Sequence, residues 1–411
     1  MDTSRKTKRK NELLLGVVGC LALAAMFGWM GWVSLNRNPA LAIPTPRMPS
    51  PNAYDYYVRA SDAIKPITYH GSKVNVIFSI LMKSGALEPS YPADEKGAFV
   101  NANAPALKLL REGFTYDCQL PPVRSFHTPH DLLNPMGDFA RLARLLLIAG
   151  EIKASAGNWG GAMQSDLDAI QLGEDLSRGG GLGPFMEGDL YQRFGQQAAE
   201  AAVDHLTATQ ARETARRLER ILARHAPFRD VLQEEKWQCQ ARLLELFRRP
   251  GWRGELIGGR NDEDIKQRAG RWKLYLVSKK QIMDGCTHYL DRWIAKAGQP
   301  YAAHVASPPL PDNDISKSFV FDYSRLWSRD VQIQARNVLL LLRLALRAYH
   351  LEHGRYPTAL KDLIPSYLTR LPDDPLAMQG SFSYHRDGST YTLFSGILTS
   401  PGSRPEILQY P

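Results

Sequence analysis

Leu13 to Leu35 run for 23 positions without a charged side chain, and Ser34 is their only clearly polar member. At 1.5 Å per residue, a helix of that length crosses a hydrocarbon core of about 30 Å. No other feature restricts the chain so tightly, because such a segment must sit in a bilayer or be removed. Arg5, Lys6, Lys8, Arg9 and Lys10 precede it, whereas only Arg37 and Arg47 follow within fifteen residues. That bias predicts a cytoplasmic amino terminus and an exported body. Trp29 and Trp32 fall near the outer end of the span, where amphipathic rings favour the interface.

Two other readings of the segment fit less well. Ala40-Leu41-Ala42 offers a small-x-small cleavage site, but the apolar run exceeds the 7 to 15 residues of a signal peptide. Val17-Val18-Gly19-Cys20 superficially matches a lipidation box, yet fifteen residues of the run follow Cys20, which suits a structural cysteine inside the span.

The charge follows from the anchor. Of the formal +9, residues 1–10 supply +4, five basic residues less Asp2, which leaves +5 for the other 401. The basic balance therefore orients a membrane segment and does not announce a nucleic-acid binder. With 44% hydrophobic and 23% charged residues in 411, the chain is neither wholly disordered nor polytopic. Outside the span lie three cysteines, Cys118, Cys239 and Cys286, with no Cys-x-x-Cys pair, so stability must come from burial.

Prolines mark the organisation. Pro39, Pro44, Pro46, Pro49 and Pro51 make 36–53 a stiff spacer, and the stretch from Pro300 to Pro311 lies in a second, 300–322. The expected order is a basic tail 1–12, a transmembrane helix 13–35, the linker 36–53, an all-α body 54–299, the linker 300–322 and a small α+β module 323–411. Apolar residues at three- and four-residue intervals predict helices in the body over 54–64, 104–112, 135–156, 160–177, 185–205, 209–225, 227–248 and 262–297. Thr207 or Thr209 can cap one of them, and Pro227 suits a helix start.

In the tail, Arg329, Gln332, Arg336, Arg343, Arg347 and His350 share one helical face, with Leu340 intruding. Val338, Leu342, Ala345, Leu346 and Tyr349 occupy the other, an amphipathic helix that Gly354 can end. Asp387-Gly388 then predicts a hairpin in which Tyr384 faces Tyr391 and Phe382 faces Leu393. All four belong to the face that packs on the helix.

Two stretches resemble known families. Gly150, Gly157, Asn158, Trp159, Ala162 and Ala169 resemble one tetratricopeptide hairpin, although Lys153 and Asp166 stand where that repeat prefers aromatics and no 34-residue recurrence follows. His353-Gly354-Arg355-Tyr356-Pro357, Leu371-Pro372-Asp373-Asp374-Pro375, Tyr384, Tyr391 and Phe394-Ser395-Gly396 resemble the globular end of type II secretion major pseudopilins, over about 70 of the 411 residues. That resemblance implies a helix leading into a short sheet, an envelope location and an association with secretion or pilus-like machinery. The family's processing site is missing and about 290 residues separate span from module. The loop Ser395–Ser400 lacks the acidic residues of the family's calcium site. The whole chain resembles uncharacterised single-pass bacterial membrane proteins, which implies no activity.

Chemistry is sparsely signalled. His127, His130 and Asp131 form the best metal-like cluster, but Pro129 and their spacing fit no standard site, and no metal or cofactor is expected. His350-Leu351-Glu352-His353 lacks zincin spacing, and Gly179–Gly183 lacks the Lys-Ser or Lys-Thr of a phosphate loop. Asp262-Glu263-Asp264 suits a helix start, and Trp237, Trp252, Trp272 and Trp293 suit packing. No catalytic residue is assigned. The expectation is a non-enzymatic envelope protein, held in the bilayer by 13–35, that contacts other envelope proteins and no nucleic acid. The alternative is an exported hydrolase with a site in the helical body. A cleft of converging carboxylates and histidines with shifted pKa values would favour the enzyme, and an exposed apolar groove the scaffold.

Overall fold

The computed structural model describes residues 2–65, 67–69, 72–74, 92–124, 130–257, 276–301, 306–377, 380–395 and 409–410. The protein is mainly helical, with a small antiparallel sheet near its carboxy terminus. Helix α1, Asp2–Asn36, contains the uncharged run. Its Val17–Asn36 part is the one helix among the described residues long and apolar enough to cross a membrane, and none of that part is buried.

The chain divides into two compact units. The smaller comprises residues 1–44, 239–289 and 309–321, and the larger residues 45–238, 290–308 and 322–411. The larger holds α2 (Ala53–Asp62), the strands β1 (Ile67–Tyr69) and β2 (Ser72–Val74), then α3 (Ala93–Ala102), α4 (Ala104–Gly113), α5 (His130–Ser155), α6 (Trp159–Leu176), α7 (Leu182–Ala202) and α8 (Ala208–Leu222). Helices α9 (Phe228–Arg248) and α11 (Lys279–Ala297) are shared between the units, α10 (Trp252–Ile257) and α12 (Asp314–Lys317) belong to the smaller, and α13 (Ser324–His353) returns to the larger. The body is therefore not purely helical: β1 and β2 pair antiparallel, and at three residues each they are too short to show an alternating pattern.

Local chemistry sets several boundaries. Thr207 caps α8: its Oγ1 accepts from the Gln210 amide at 3.3 Å, and Gln210 Oε1 accepts from the Thr207 amide at 3.0 Å. Asn158 caps α6 by accepting from the Gly161 amide at 2.9 Å, just after Gly157 turns the chain at φ +75°. Helix α5 begins at His130 and runs through Pro135, earlier than the expected 135–156. The part of the expected helix 262–297 before residue 276 lies outside the described residues.

Two cores fill the larger unit. The first joins α2, α4, α5 and α6, with Tyr57, Leu110, Phe139 and Leu146 among its fully buried members. The second joins α6, α7, α8 and α13 with Leu363, Tyr367 and Leu393 of the tail, so one core spans residues on both sides of the Pro-rich stretch 300–322. Between α6 and α7 the backbones approach so closely that a Cβ on Gly188 would meet the Gly173 carbonyl oxygen at 2.3 Å.

Helix α13 keeps the expected amphipathic split, with Val338, Leu342, Ala345 and Leu346 buried and Arg329, Gln332, Arg336, Arg343, Arg347 and His350 half-buried, but its polar side is partly covered. No residue from 326 to 350 is exposed, and Leu340 is fully buried. Packing against α7 and α8 covers part of the predicted polar face, where Arg343 and Arg347 reach Asp204 and Arg329 pairs with Asp189. Gly354 ends the helix as expected, at φ +67°.

The tail hairpin forms from β3 (Ser383–Asp387) and β4 (Thr390–Phe394), with β5 (Gln409–Tyr410) added to β4. Its register differs from expectation: Tyr384 pairs with Leu393 and Arg386 with Tyr391, because Gly388-Ser389 forms the two-residue loop, Gly388 taking φ +55° at its first position. Parity is preserved, so Phe382, Tyr384, Tyr391 and Leu393 still share one face.

Within the smaller unit Lys279 ties the residues that follow α1 to the end of α9, donating to Asn38 Oδ1 at 2.8 Å and to the Phe247 carbonyl at 2.6 Å. The cysteines are thiols rather than disulfides, and Cys118, Cys239 and Cys286 are buried.

Candidate functional site

Helix α6 supplies the most unusual chemistry in the molecule. From Ala162 to Leu176 only Gln164 escapes full burial, yet four of the buried residues are acids: Asp166, Asp168, Glu174 and Asp175. A buried carboxylate without partners is strongly destabilising, so each should be matched. Asp168 lies between Arg111, at 2.8 Å, and Arg217. Asp175 accepts from the Tyr57 hydroxyl. Glu174 accepts at Oε2 from His225 Nδ1 at 2.9 Å and at Oε1 from Gln334 Nε2 at 3.1 Å. Asp166 is the exception: among the described residues its carboxylate has no hydrogen-bond donor.

Around Glu174 these contacts build a site. His225 sits in the turn between α8 and α9. Its Nε2 lies 3.9 Å from Asp330 Oδ1, on α13 one helical turn before Gln334. An imidazole is thus held on its Nδ1 side by one carboxylate and faces a second on its Nε2 side. Both His225 and Asp330 line a cleft of about 610 Å³ whose apolar walls include Leu222, Phe228, Val331 and Leu341, closed on the tail side by Thr369–Pro375. Thr369 latches that loop to α8, its amide donating to Glu219 Oε1 at 3.0 Å and its hydroxyl to the same oxygen.

Electrostatics distinguish the two groups. Burial works against a charged His225 ring, but the adjoining Glu174 carboxylate and, less strongly, Asp330 overcome it and hold its pKa at about 9. Burial raises Asp330 to about 7, with the charges of Glu174 and Asp189 adding to the rise and His225 opposing it. Near neutral pH the cleft floor therefore carries an imidazolium beside a carboxyl that exchanges its proton readily, the arrangement expected of a group that gives and takes protons or grips a charged partner.

The residues singled out by sequence lie elsewhere. His127 is outside the described residues, while His130 and Asp131 open α5; among the described residues no set of three His, Cys, Asp or Glu is grouped to hold a metal ion. His350 and His353 belong to the packed end of α13, their rings stacked on Tyr356 and Tyr349 at 4.3 and 4.1 Å. Gly179 and Gly181 turn the loop between α6 and α7 with positive φ. Trp252 and Trp293 are buried, whereas Asp262, Glu263, Asp264 and Trp272 lie outside the described residues.

Glu174, His225 and Asp330 went unread because 51 residues separate the first two and 105 the last two (225 − 174 and 330 − 225), and no motif spans such distances. One signal was present: four acids within ten positions of a helix otherwise rich in apolar and small residues. No family model matches the chain, and neither a curated protein nor a solved structure does.

Proposed function

We propose that this is a single-pass, membrane-anchored extracytoplasmic protein of the cell envelope, and that the cleft floored by His225 and Asp330 is where its body engages a segment of a partner protein. The observation that carries this reading is convergence. The turn after α8, the centre of α13 and the pseudopilin-like loop Thr369–Pro375 come from three distant parts of the chain and meet at one cleft of about 610 Å³. Apolar walls with a few convergent polar groups are the chemistry of a binding site. The charge bias across α1 supports an amino terminus inside and a body outside, and the tail's resemblance to pseudopilins supports an association with secretion or pilus-like assemblies.

The test is a photo-crosslinking amino acid placed at Arg370, on the cleft rim, in intact cells, with Arg59 of α2 as the remote control. An envelope protein crosslinked from Arg370 and not from Arg59 is expected. Recovery of the protein alone from both positions would remove the main support. A reporter fused after Pro411 that is active only in the cytoplasm would overturn the topology.

A second reading, an exported enzyme such as a hydrolase, is favoured by one specific observation: His225 is oriented by Glu174 and presents Nε2 to the cleft beside Asp330, as a general acid or base must be. Under that reading His225→Gln abolishes turnover while the fold and the Arg370 crosslinks persist. Crosslinks lost together with the histidine support the binding role instead.

A further inference from the structure

Asp166 is the acid of α6 that the packing leaves unmatched. It is 3% exposed, and among the described residues no donor reaches its carboxylate. It borders a second cavity, of about 460 Å³, between α5, α6 and α7, separate from the His225 cleft. Leu147, Ala154, Ala162, Phe194, Ala198 and Ala201 make its walls apolar, their small side chains leaving the space open. No cation lines it. Glu151 at the rim is half exposed and paired with Lys96. Lys153, the nearest ammonium on α5, is spent on Ser165 Oγ at 2.9 Å and the Gly161 carbonyl at 3.2 Å.

The surrounding backbone makes room for this carboxylate. A Cβ on Gly150 would meet Asp166 Oδ1 at 2.6 Å, so glycine at that position is what lets the acid lie against α5. An isolated carboxyl in an apolar cavity costs folding energy unless something is gained by it. Burial first, then the charge of Asp168, raise its pKa to about 8, and Lys153 offsets part of the rise. Two other side chains nearby are already engaged: Arg111 on Asp168, and His205 stacked at 3.8 Å on Trp159 of the cavity wall. Helix α7 contributes no titratable side chain to the lining, only Gln197 among polar residues.

We propose that this cavity binds an amphiphilic ammonium ligand, one cationic nitrogen on an apolar body of modest size, with the nitrogen on Asp166 and the apolar body against Phe194 and the alanines. Charge complementarity selects the class: an anion would face two carboxyls and no cation, and a neutral apolar molecule would leave Asp166 unpaired. An ammonium supplies the donors that the fold withholds. Because Asp166, with its pKa near 8, is mostly protonated at neutral pH, pairing it as a carboxylate with the ammonium releases a proton.

The test uses the full chain in zwitterionic nanodiscs, with empty nanodiscs as blank, and calorimetric titration with 2-phenylethylammonium and its neutral counterpart 2-phenylethanol. The ammonium is expected to bind one to one and roughly tenfold to hundredfold tighter than the alcohol, the range for a charge-assisted hydrogen bond. Its apparent enthalpy at pH 7 should vary with the ionisation enthalpy of the buffer. Asp166→Asn should bring the two probes to equal affinity and abolish the buffer dependence. Ala198→Phe, which fills the cavity and leaves the acid in place, should abolish binding of both, so the proposal stands or falls even where one variant is poorly folded. Absence of binding, equal affinity for the two probes, or an ammonium affinity unchanged in Asp166→Asn would each overturn it.

Discussion

Asp330→Asn offers a test of the cleft with a calculable magnitude. A carboxyl whose pKa is higher in the folded than in the unfolded chain contributes its stability fully below the unfolded value near 3.8, and that contribution is lost as pH rises through the folded value, here about 7. Between pH 5 and pH 7 the wild-type protein should thus lose about 1.4 kcal/mol per unit through this one residue, and little more beyond. That is about 3 kcal/mol by pH 8. Asparagine keeps the shape and carries no charge at either pH, so it escapes the loss. Part of the gain is returned because His225 loses a neighbour, which leaves about 2 to 3 kcal/mol. For a body this large the difference corresponds to a rise of roughly 5 to 10 °C in Tm at pH 8 relative to pH 5. Thermal unfolding of the full chain in nanodiscs by near-ultraviolet circular dichroism at the two pH values reads it directly. At pH 5 the variant should unfold at or slightly below the wild type, and at pH 8 above it. Asp373→Asn, on the exposed rim of the same cleft, should change little at either. If the Tm difference between Asp330→Asn and wild type is the same at both pH values, the buried-acid account of the cleft floor is wrong.

Three further outcomes follow from the packing. Gly188→Ala gains about 1 kcal/mol of helix propensity but must push α6 and α7 apart to relieve a 2.3 Å approach to the Gly173 carbonyl, so a net loss of about 1 to 3 kcal/mol in urea unfolding is expected. Gly183→Ala, with nothing within 4 Å, serves as its neutral control. Asn337→Leu removes an acceptor for Gln196 Nε2 at 2.7 Å and a donor to Gln192 Oε1 at 2.9 Å, leaving two buried glutamines short of partners at a cost of about 2 to 4 kcal/mol by the same measurement. On carbonate extraction the full chain should stay with the membrane pellet; intact chain in the supernatant refutes α1 as an anchor.

What could be read in advance were features whose cause is local. The uncharged run, the Thr207 cap and the glycine stop at Gly354 each depend on a few adjacent residues, and the structure holds all three. The hairpin was legible to within its register, since face assignment needs only parity while register depends on which side of Gly388 the loop closes. The surroundings of α13 were not legible. Its polar stripe marks a solvated face only if nothing covers it, and whether α7 and α8 cover it is settled by chain segments more than a hundred residues away. The cleft fails for the same reason: Glu174, His225 and Asp330 become a site only once α6, the turn after α8 and α13 are brought together.

The four acids of α6 explain why a helix so deeply buried is not simply apolar. Asp168 is matched to α4 and α8, Glu174 to the turn after α8 and to α13, and Asp175 to α2, so each binds a different neighbour. Apolar contacts alone would let these helices slide; charged pairs at fixed positions penalise every other register. On that account the acids should differ sharply when neutralised. Asp168→Asn strands Arg111 and Arg217, both only part exposed, and should lower stability at pH 7 by about 1 to 3 kcal/mol. Asp166→Asn should have the opposite sign at pH 7: the folded chain there holds protonated, with a pKa near 8, an acid that the unfolded chain ionises near 3.8, so removing it should stabilise by about 4 kcal/mol relative to its effect at pH 4. At pH 9 the gain should be about 1 kcal/mol larger and then level off, since above the folded pKa both states carry the ionised acid. Urea midpoints at these pH values separate the cases. Equal losses for both variants would mean that Asp166 has a structural partner after all, whereas the contrast would identify it as a residue kept for something other than the fold.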